Sequence, residues 1–189
     1  METRNLSRIT DANLEQVAQI GRDAAVDFDD CYQCGKCTAG CPMVHEMDVT
    51  PRHVIRLLQL GFIDEALNAT APWICANCTV CSARCPQGVD ISAIMLALRR
   101  TAKKQGLRPA READIFDDAF VANIRRFGKS NEAILAAKYN LLSGHLMQDV
   151  LNVPGMLARG MIGPKLHLSQ DRAAVRRMVD KILKGGEAQ

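Results

Sequence analysis

Residues 31–42 read CYQCGKCTAGCP, and residues 75–86 read CANCTVCSARCP. Both stretches follow the pattern C-x2-C-x2-C-x3-C-P, which holds [4Fe–4S] clusters in bacterial-type ferredoxins. All eight cysteines of the chain lie in these two runs. A cubane cluster has four iron corners, and each corner takes one thiolate, so the two runs predict two [4Fe–4S] clusters. No thiol is left for a nucleophile or a disulfide.

The fourth cysteine of each run has a different role from the first three. Three cysteines spaced by two residues form a loop around three iron corners, and the fourth lies where the chain turns away at a proline, which fixes φ and has no N–H. In two-cluster proteins this fourth cysteine ligates the other cluster. We therefore predict one cluster at Cys31, Cys34, Cys37 and Cys85, and the other at Cys75, Cys78, Cys81 and Cys41. No residue is predicted to be catalytic.

Zinc and disulfides are the other common uses of clustered cysteines. A four-cysteine zinc site usually consists of two separated C-x2-C pairs, which a triple C-x2-C-x2-C followed by C-P matches poorly. Disulfides require an oxidising compartment, and the sequence does not begin with a charged-then-apolar secretory leader. The doubled motif therefore favours iron–sulfur clusters, and reduced thiolate ligands predict a cytoplasmic protein.

The composition argues against nucleic-acid binding and against a transmembrane segment. The chain has 189 residues, of which 48% are hydrophobic, and its 24 Lys+Arg against 21 Asp+Glu give a net charge of only +3. There is no basic run with interleaved aromatic residues, so nucleic-acid binding is not expected. No apolar stretch reaches the roughly 18–20 residues that a transmembrane helix needs. We predict neither a nucleic-acid partner nor a transmembrane segment.

Apolar residues recur at helical spacing on both sides of the cysteine runs, and no alternating strand pattern is present. Residues typical of helix N-caps mark three predicted helix starts. They are Thr10 or Asp11, Thr50 before Pro51, and Ser92, which is predicted to cap its helix as Thr50 does. Gly61 and Gly106 follow the predicted helix ends. The sequence therefore predicts an all-α fold, with an α-helical ferredoxin-like core over residues 1–106 that binds both clusters.

The segment 107–189 differs in character and is predicted to be a helical extension that docks partners. Its first helix carries a stripe of Phe116, Phe120, Ile124 and Phe127, ended by Gly128, and such a stripe predicts packing. Further helices are predicted over 130–142 and 171–183. A looser stretch between them contains Met147, Met156 and Met161 with Pro154, Gly160, Gly163 and Pro164. Methionine-rich surfaces adapt to partners.

Around the cysteines the chain reads CYQCGKCTAGCPM at 31–43, PRHVIRLLQLG at 51–61 and CPQGVD at 85–90. These residues resemble the iron–sulfur C subunit of heterodisulfide reductase. The likeness extends through the phenylalanine stripe to MLARG at 156–160 and VRRMV at 175–179, and so spans most of the chain. The cysteine motif alone is shared by many α-helical ferredoxin-like subunits, including succinate dehydrogenase and glycolate oxidase relatives, and the surrounding sequence narrows the resemblance.

The resemblance implies a non-catalytic electron-relay subunit in a hetero-oligomer. Such a protein lies between two partners of the heterodisulfide reductase complex. The flavin subunit, designated A, contains FAD and iron–sulfur clusters. The disulfide-reducing subunit, designated B, reduces the disulfide at clusters bound by Cys-Cys-Gly motifs. No Cys-Cys-Gly occurs in this sequence, so the resemblance implies that the substrate site lies on the disulfide-reducing subunit and not on this chain. The resemblance does not identify the disulfide or sulfur substrate.

Two other functions share the core motif. One is an iron–sulfur subunit of a quinone-linked dehydrogenase; succinate dehydrogenase-type subunits, however, carry an upstream [2Fe–2S] domain and a motif altered for a [3Fe–4S] cluster, and this sequence has neither. The other is a free ferredoxin-type carrier, which has no need of a hydrophobic extension after residue 106. The sequence therefore favours the relay subunit of a heterodisulfide-reductase-like complex.

Overall fold

The structure, a computed structural model, describes residues 5–146, 148, 153–160 and 168–186. Over these ranges it contains eleven α-helices and no β-strand, which confirms the all-α prediction. None of these helices is both long and apolar enough to cross a membrane. The helices are α1 Asp11–Ala24, α2 Lys36–Ala39, α3 Pro51–Gln59, α4 Ile63–Asn68, α5 Ala71–Ile74, α6 Val80–Ala83, α7 Ile91–Lys104, α8 Arg111–Phe127, α9 Glu132–Ser143, α10 Val153–Ala158 and α11 Arg172–Gly186.

The chain forms two compact units, and the first ends at Ala110. Helix α7 is the hub of this first unit, because it packs against α1, α4, α5 and α6. Its apolar residues recur every three or four positions, so that Ile94 and Leu98 are fully buried. Ile55 and Leu58 of α3 are buried in the same unit. Burial of each such side chain contributes about 1.5–3 kcal/mol, and this core holds the helices that flank both cysteine runs.

Helix α1 begins where the sequence predicts. Thr10 Oγ1 accepts a hydrogen bond from the Asn13 N–H at 3.3 Å, and Asn13 Oδ1 accepts one from the Thr10 N–H at 2.9 Å. This reciprocal capping box satisfies two backbone donors that the helix itself leaves unpaired. The helix continues to Ala24.

Helix α3 starts where the sequence predicts, with Thr50 at the N-cap and Pro51 as its first residue. The predicted capping bond of Thr50 and the predicted capping residue of α7 are wrong, however. The Thr50 hydroxyl makes no capping bond and is buried without a hydrogen-bond partner among the described residues. At α7, the Asp90 carboxylate caps the helix by accepting a hydrogen bond from the Ala93 N–H at 3.0 Å. Ser92, the predicted cap, is buried in the first turn. The reason is competition, since other side chains already accept the N–H groups of these first turns.

The second compact unit begins at Arg111, and its α8 packs against both α9 and α11. Asn123 of α8 donates to the Asn131 carbonyl at 2.9 Å and accepts from the Asn131 N–H at 3.1 Å. Arg125 of α8 forms an ion pair with Asp180 of α11 at 2.6 Å. The helical extension is therefore present, whereas the functional division into 1–106 and 107–189 stays a prediction.

The phenylalanine stripe of α8 is only partly used for packing. Phe127 is buried and Ile124 half-buried, but Phe116 and Phe120 are 45% and 39% exposed. Their rings stack at 6.2 Å, and Phe116 also meets Tyr139 of α9 edge-on at 5.9 Å. Among the residues of the looser stretch, Met147, Met161, Gly163 and Pro164 lie outside the described ranges.

Candidate metal centre

The backbone makes the same kind of turn in both cysteine runs. Gln33 and Asn77, each just before the second cysteine of its run, have φ of +64° and +54°. Gly35 and Thr79, each just after that cysteine, have φ of +81° and +61°. A residue other than glycine is disfavoured in this left-handed region by about 1–2 kcal/mol. The strain recurs at equivalent places in both copies, as is typical of loops shaped for a site.

The ends of the two runs lie together. The short helices α2 and α6 carry the third cysteines, Cys37 and Cys81, and pack against each other. Gly40 and Arg84, the residues just before the fourth cysteines, are in contact, because a Cβ on Gly40 would lie 2.8 Å from Arg84 Nη1. Glycine at position 40 therefore leaves the space that the Arg84 side chain occupies.

A hydroxyl follows the third cysteine in each run, and sequence reasoning missed its role. Thr38 Oγ1 accepts a hydrogen bond from the Arg52 N–H at 3.2 Å, in the first turn of α3. Ser82 Oγ accepts one from the Ser92 N–H, also at 3.2 Å, in the first turn of α7. Ser82 in turn donates to Asp90 Oδ1 at 2.5 Å. Each cysteine loop is therefore hydrogen-bonded to the start of the next long helix. The sequence feature that indicates this role is a hydroxyl residue directly after the third cysteine in both runs.

One cavity of the first unit brings together four cysteines, and they come from both runs. They are Cys41, Cys75, Cys78 and Cys81. Apolar residues line much of the remaining wall, among them Met43, Met47, Pro51, Ile91 and Met95. This set is the one that the sequence assigned to the second cluster, and its placement supports the crossed assignment. Ligation itself stays a prediction.

Cys85 of the second run lies near the first run. Partial loss of water and the negative charges of the nearby Cys34, Cys85 and Cys31 thiolates raise the pKa of Tyr32. The Gln33 amide donates to Cys31 Sγ at 3.5 Å. Gln59 of α3 donates to the Cys31 carbonyl at 2.9 Å, which holds the first loop against the core. Cys85 is therefore near enough to Tyr32 to influence its charge, and its assignment to the first cluster stays a prediction.

The chemistry of the donors fits iron–sulfur clusters. Burial raises the pKa of the Cys37, Cys75 and Cys81 thiols, so a bound metal must supply the positive charge that removes their protons. Among the described residues, no group of three or more His, Cys, Asp or Glu side chains is placed to hold a metal ion. The sulfurs around a cubane surround a cage of iron and sulfide and do not converge on one ion, which agrees with four cysteines spread around a cavity.

Each predicted cluster has one cysteine at the surface. Cys34 of the first set and Cys78 of the second are exposed, whereas Cys37 is buried and the other five are half-buried. Both sites are therefore close to solvent on one side and shielded on the other.

Known proteins support the cofactor assignment. Residues 27–89, which contain all eight cysteines, match the family described as 4Fe-4S dicluster domain. This match confirms the prediction of two [4Fe–4S] clusters.

Named relatives carry the resemblance further. The chain is 42% identical over 76 residues to the iron–sulfur C subunit of CoB–CoM heterodisulfide reductase from Methanopyrus kandleri, covering 40% of each chain. It is 37% identical over 87 residues to the corresponding C 2 protein of Methanocaldococcus jannaschii, covering 46% of each. It is 34% identical over 100 residues to the C subunit of the H2:CoB–CoM heterodisulfide,ferredoxin reductase of Methanothermobacter thermautotrophicus, covering 52% of each.

These relatives confirm the resemblance to the C subunits of heterodisulfide reductase. The chain spans about half or less of the length of the relatives that it matches. The likeness noted at 156–160 and 175–179 stays an expectation.

Proposed function

We propose that this protein is the electron-relay subunit of a heterodisulfide-reductase-like complex. In this proposal, single electrons pass through its two clusters from the flavin subunit to the disulfide-reducing subunit with its Cys-Cys-Gly clusters. The similarity to named C subunits supports the proposal, as does the dicluster domain at 27–89. The proposed location is the cytoplasm, where thiolate ligands stay reduced.

The observation that carries the proposal is the cavity where Cys41 joins three cysteines of the second run. A relay requires two redox centres at a short and constant separation, because electron tunnelling weakens steeply with distance. Ligands exchanged between the runs fix that separation through the chain itself. The packing of α2 on α6 and the contact of Gly40 with Arg84 hold the two runs together as well.

The residues of this chain hold and shield the clusters. A [4Fe–4S] cluster, when bound, takes up and releases one electron at a time. Cys34 and Cys78 provide an exposed point at each site, so one site can face the electron donor and the other the acceptor. Met43, Met47 and Met95 exclude water from the second site. No side chain is needed as acid, base or nucleophile, and the chemistry of the disulfide belongs to the disulfide-reducing partner.

Anaerobic purification of the tagged full chain from its native source tests the proposal. We expect it to retain two stoichiometric partners, one with bound FAD and one with Cys-Cys-Gly sequences, and we expect the complex in the fraction free of membranes. Recovery of the chain alone, with full iron content, would favour the free-carrier function. Recovery with a quinone-reactive membrane protein would favour the dehydrogenase function.

A further inference from the structure

An arginine of α7 lies over the tryptophan that precedes the second cysteine run. Trp73 of α5 is 4% exposed and stands two residues before Cys75. The Arg99 guanidinium carbon lies 5.3 Å from the centroid of the Trp73 ring. Helices α5 and α7 pack against each other, so this pair is part of the support of the second cysteine loop. Cations over a tryptophan face are attracted by the quadrupole of the ring.

Arg99 also lies close to the cavity that contains Cys75. Ile91 and Met95 of α7 line that cavity, and Arg99 stands one helical turn after Met95 on the same face of the helix. The guanidinium is always charged in proteins, so it favours negative charge at the Cys75 sulfur at every working pH. Arg99 is only half-exposed, and solvent therefore screens its field less than that of a fully exposed cation.

We propose that Arg99, held over Trp73, raises the reduction potential of the cluster bound at Cys75. One-electron reduction adds one negative charge to a cluster that already has four thiolate ligands. A nearby fixed cation stabilises the reduced form more than the oxidised form, so it makes the electron easier to accept. This inference rests on the two bound clusters and not on the identity of the partners. Arg99 is not a ligand of the cluster. Its charge acts at a distance, and its contact with Trp73 holds that charge in place, so Arg99 is a positioning residue.

The first run lacks this arrangement in its sequence. The residue two places before Cys31 is Asp29, which is exposed and lies between Asp27 and Asp30. The effect of Arg99 should therefore be larger at the Cys75 cluster than at the Cys31 cluster, since the interaction between two charges weakens with distance. This selectivity separates an electrostatic role from a general loosening of the fold, which would affect both.

Redox titration of the full chain with both clusters, followed by EPR with dithionite as the electron donor, tests the inference. Cys31→Ser and Cys75→Ser variants assign each signal to its cluster. We expect Arg99→Gln to lower the reduced-to-oxidised ratio of the Cys75 cluster by about threefold or more at a given potential, where tenfold equals about 59 mV for one electron. The Cys31 cluster should change less, and Arg99→Lys should retain most of the wild-type ratio because it retains the charge.

Arg100→Gln is the matched control, because it removes the same charge from the next, exposed position of α7. An equal shift with Arg100→Gln, an equal shift of the Cys31 cluster, or no shift with Arg99→Gln overturns the inference. If Arg99→Gln loses iron, Arg99→Met and Arg99→Lys are compared instead, because only lysine retains the charge. Equal potentials of the Cys75 cluster in these two variants would overturn the electrostatic role. Emission of the only tryptophan of the sequence reports whether the packing of α5 is kept.

Discussion

The Thr38 hydroxyl accepts a hydrogen bond from the Arg52 N–H at 3.2 Å. Thr38 directly follows the third cysteine of the first run, and Arg52 is the second residue of α3. Ser82 and Ser92 repeat this relationship in the second run at the same distance. The bond satisfies one of the N–H groups that the start of a helix leaves unpaired. The same bond therefore caps a helix and fixes the position of a cysteine loop.

Removal of these hydroxyls should destabilise the first unit. Thr38→Val retains the shape of the side chain but leaves the Arg52 N–H unpaired, and we expect a loss of about 1 kcal/mol in the free energy of unfolding. Ser82→Ala should cost more, because it also removes the donor to Asp90 Oδ1. Anaerobic denaturant unfolding of the cluster-loaded protein measures both changes. Thr38→Ser retains the hydroxyl and is the control; a loss equal to that of Thr38→Val would contradict the assignment.

Asp48 should stabilise the segment that leads into the second run. Its carboxylate accepts hydrogen bonds from the Thr70 N–H at 2.8 Å and the Ala71 N–H at 3.0 Å, at the start of α5. Asp48→Ala removes both, and loss of such a cap costs about 1 kcal/mol. Unfolding of the variant at pH 7 measures it, and Glu46→Ala, which removes an exposed acid two residues earlier, is the control. No difference between the two variants would show that the cap is dispensable.

The contribution of Asp48 should depend on pH. Burial raises its pKa, but hydrogen bonds from Thr70, Val49 and Ala71 outweigh this, and the pKa is lowered overall. A lowered pKa means that the stabilisation is complete above the unfolded value of about 3.9 and is lost as the pH falls through the folded value. The difference between wild type and Asp48→Ala should be constant from about pH 5 to 8 and narrow below about pH 4. A difference that widens on acidification would contradict this sign.

Crossed ligation can be separated from local ligation by EPR. The protein should carry about eight iron and eight sulfide, since its eight cysteines build two cubanes. If Cys85 serves the first cluster, Cys85→Ser should alter the same EPR signal as Cys31→Ser, and Cys41→Ser the same signal as Cys75→Ser. A Cys85→Ser spectrum that matches Cys75→Ser would show that each run binds its own cluster. Stoichiometric zinc without iron would refute the cluster assignment.

The left-handed turn of each loop should tolerate only certain residues. A Cβ on Gly35 would be no closer than 3.9 Å to the Arg52 side chain, so Gly35→Ala meets backbone strain and not a clash. We expect a loss of about 1–2 kcal/mol in the free energy of unfolding and faster bleaching of the cluster absorption in air. Thr79→Gly, at the equivalent place, relieves the same strain and should be neutral or stabilising. Equal losses in both variants would show that backbone strain is not the cause.

Removal of the second unit should affect association and not iron. A chain cut after Ala110 retains the first compact unit and every cysteine, so iron content should be unchanged. It loses the exposed Phe116 and Phe120 pair, and exposed apolar patches commonly mark interfaces. We expect stable association with the proposed flavin and disulfide-reducing subunits to be lost, as measured by co-purification. Full association of the shortened chain would refute the docking role, and loss of iron would show that the extension supports the core.

Much of the site could be predicted from local sequence. The cysteine spacing alone predicts the two clusters, because the geometry of a cubane limits which intervals between thiolates work. Thr10 and the apolar periodicity predict α1, since a helix start is a local property of a few consecutive residues. The absence of an alternating pattern predicts the helical class for the same reason.

The tertiary structure decided the roles that depend on residues far apart in the chain. Thr50 and Ser92 have the residue types of helix caps, yet Thr38 and Ser82 accept N–H groups of those first turns, because folding brings a cysteine loop against each helix. The outward position of Phe116 depends on which face of α8 meets α9 and α11. Which group caps a helix, or which side chain is buried, depends at these places on residues that are distant in the sequence. A local sequence pattern contains only one of the groups that compete for each position.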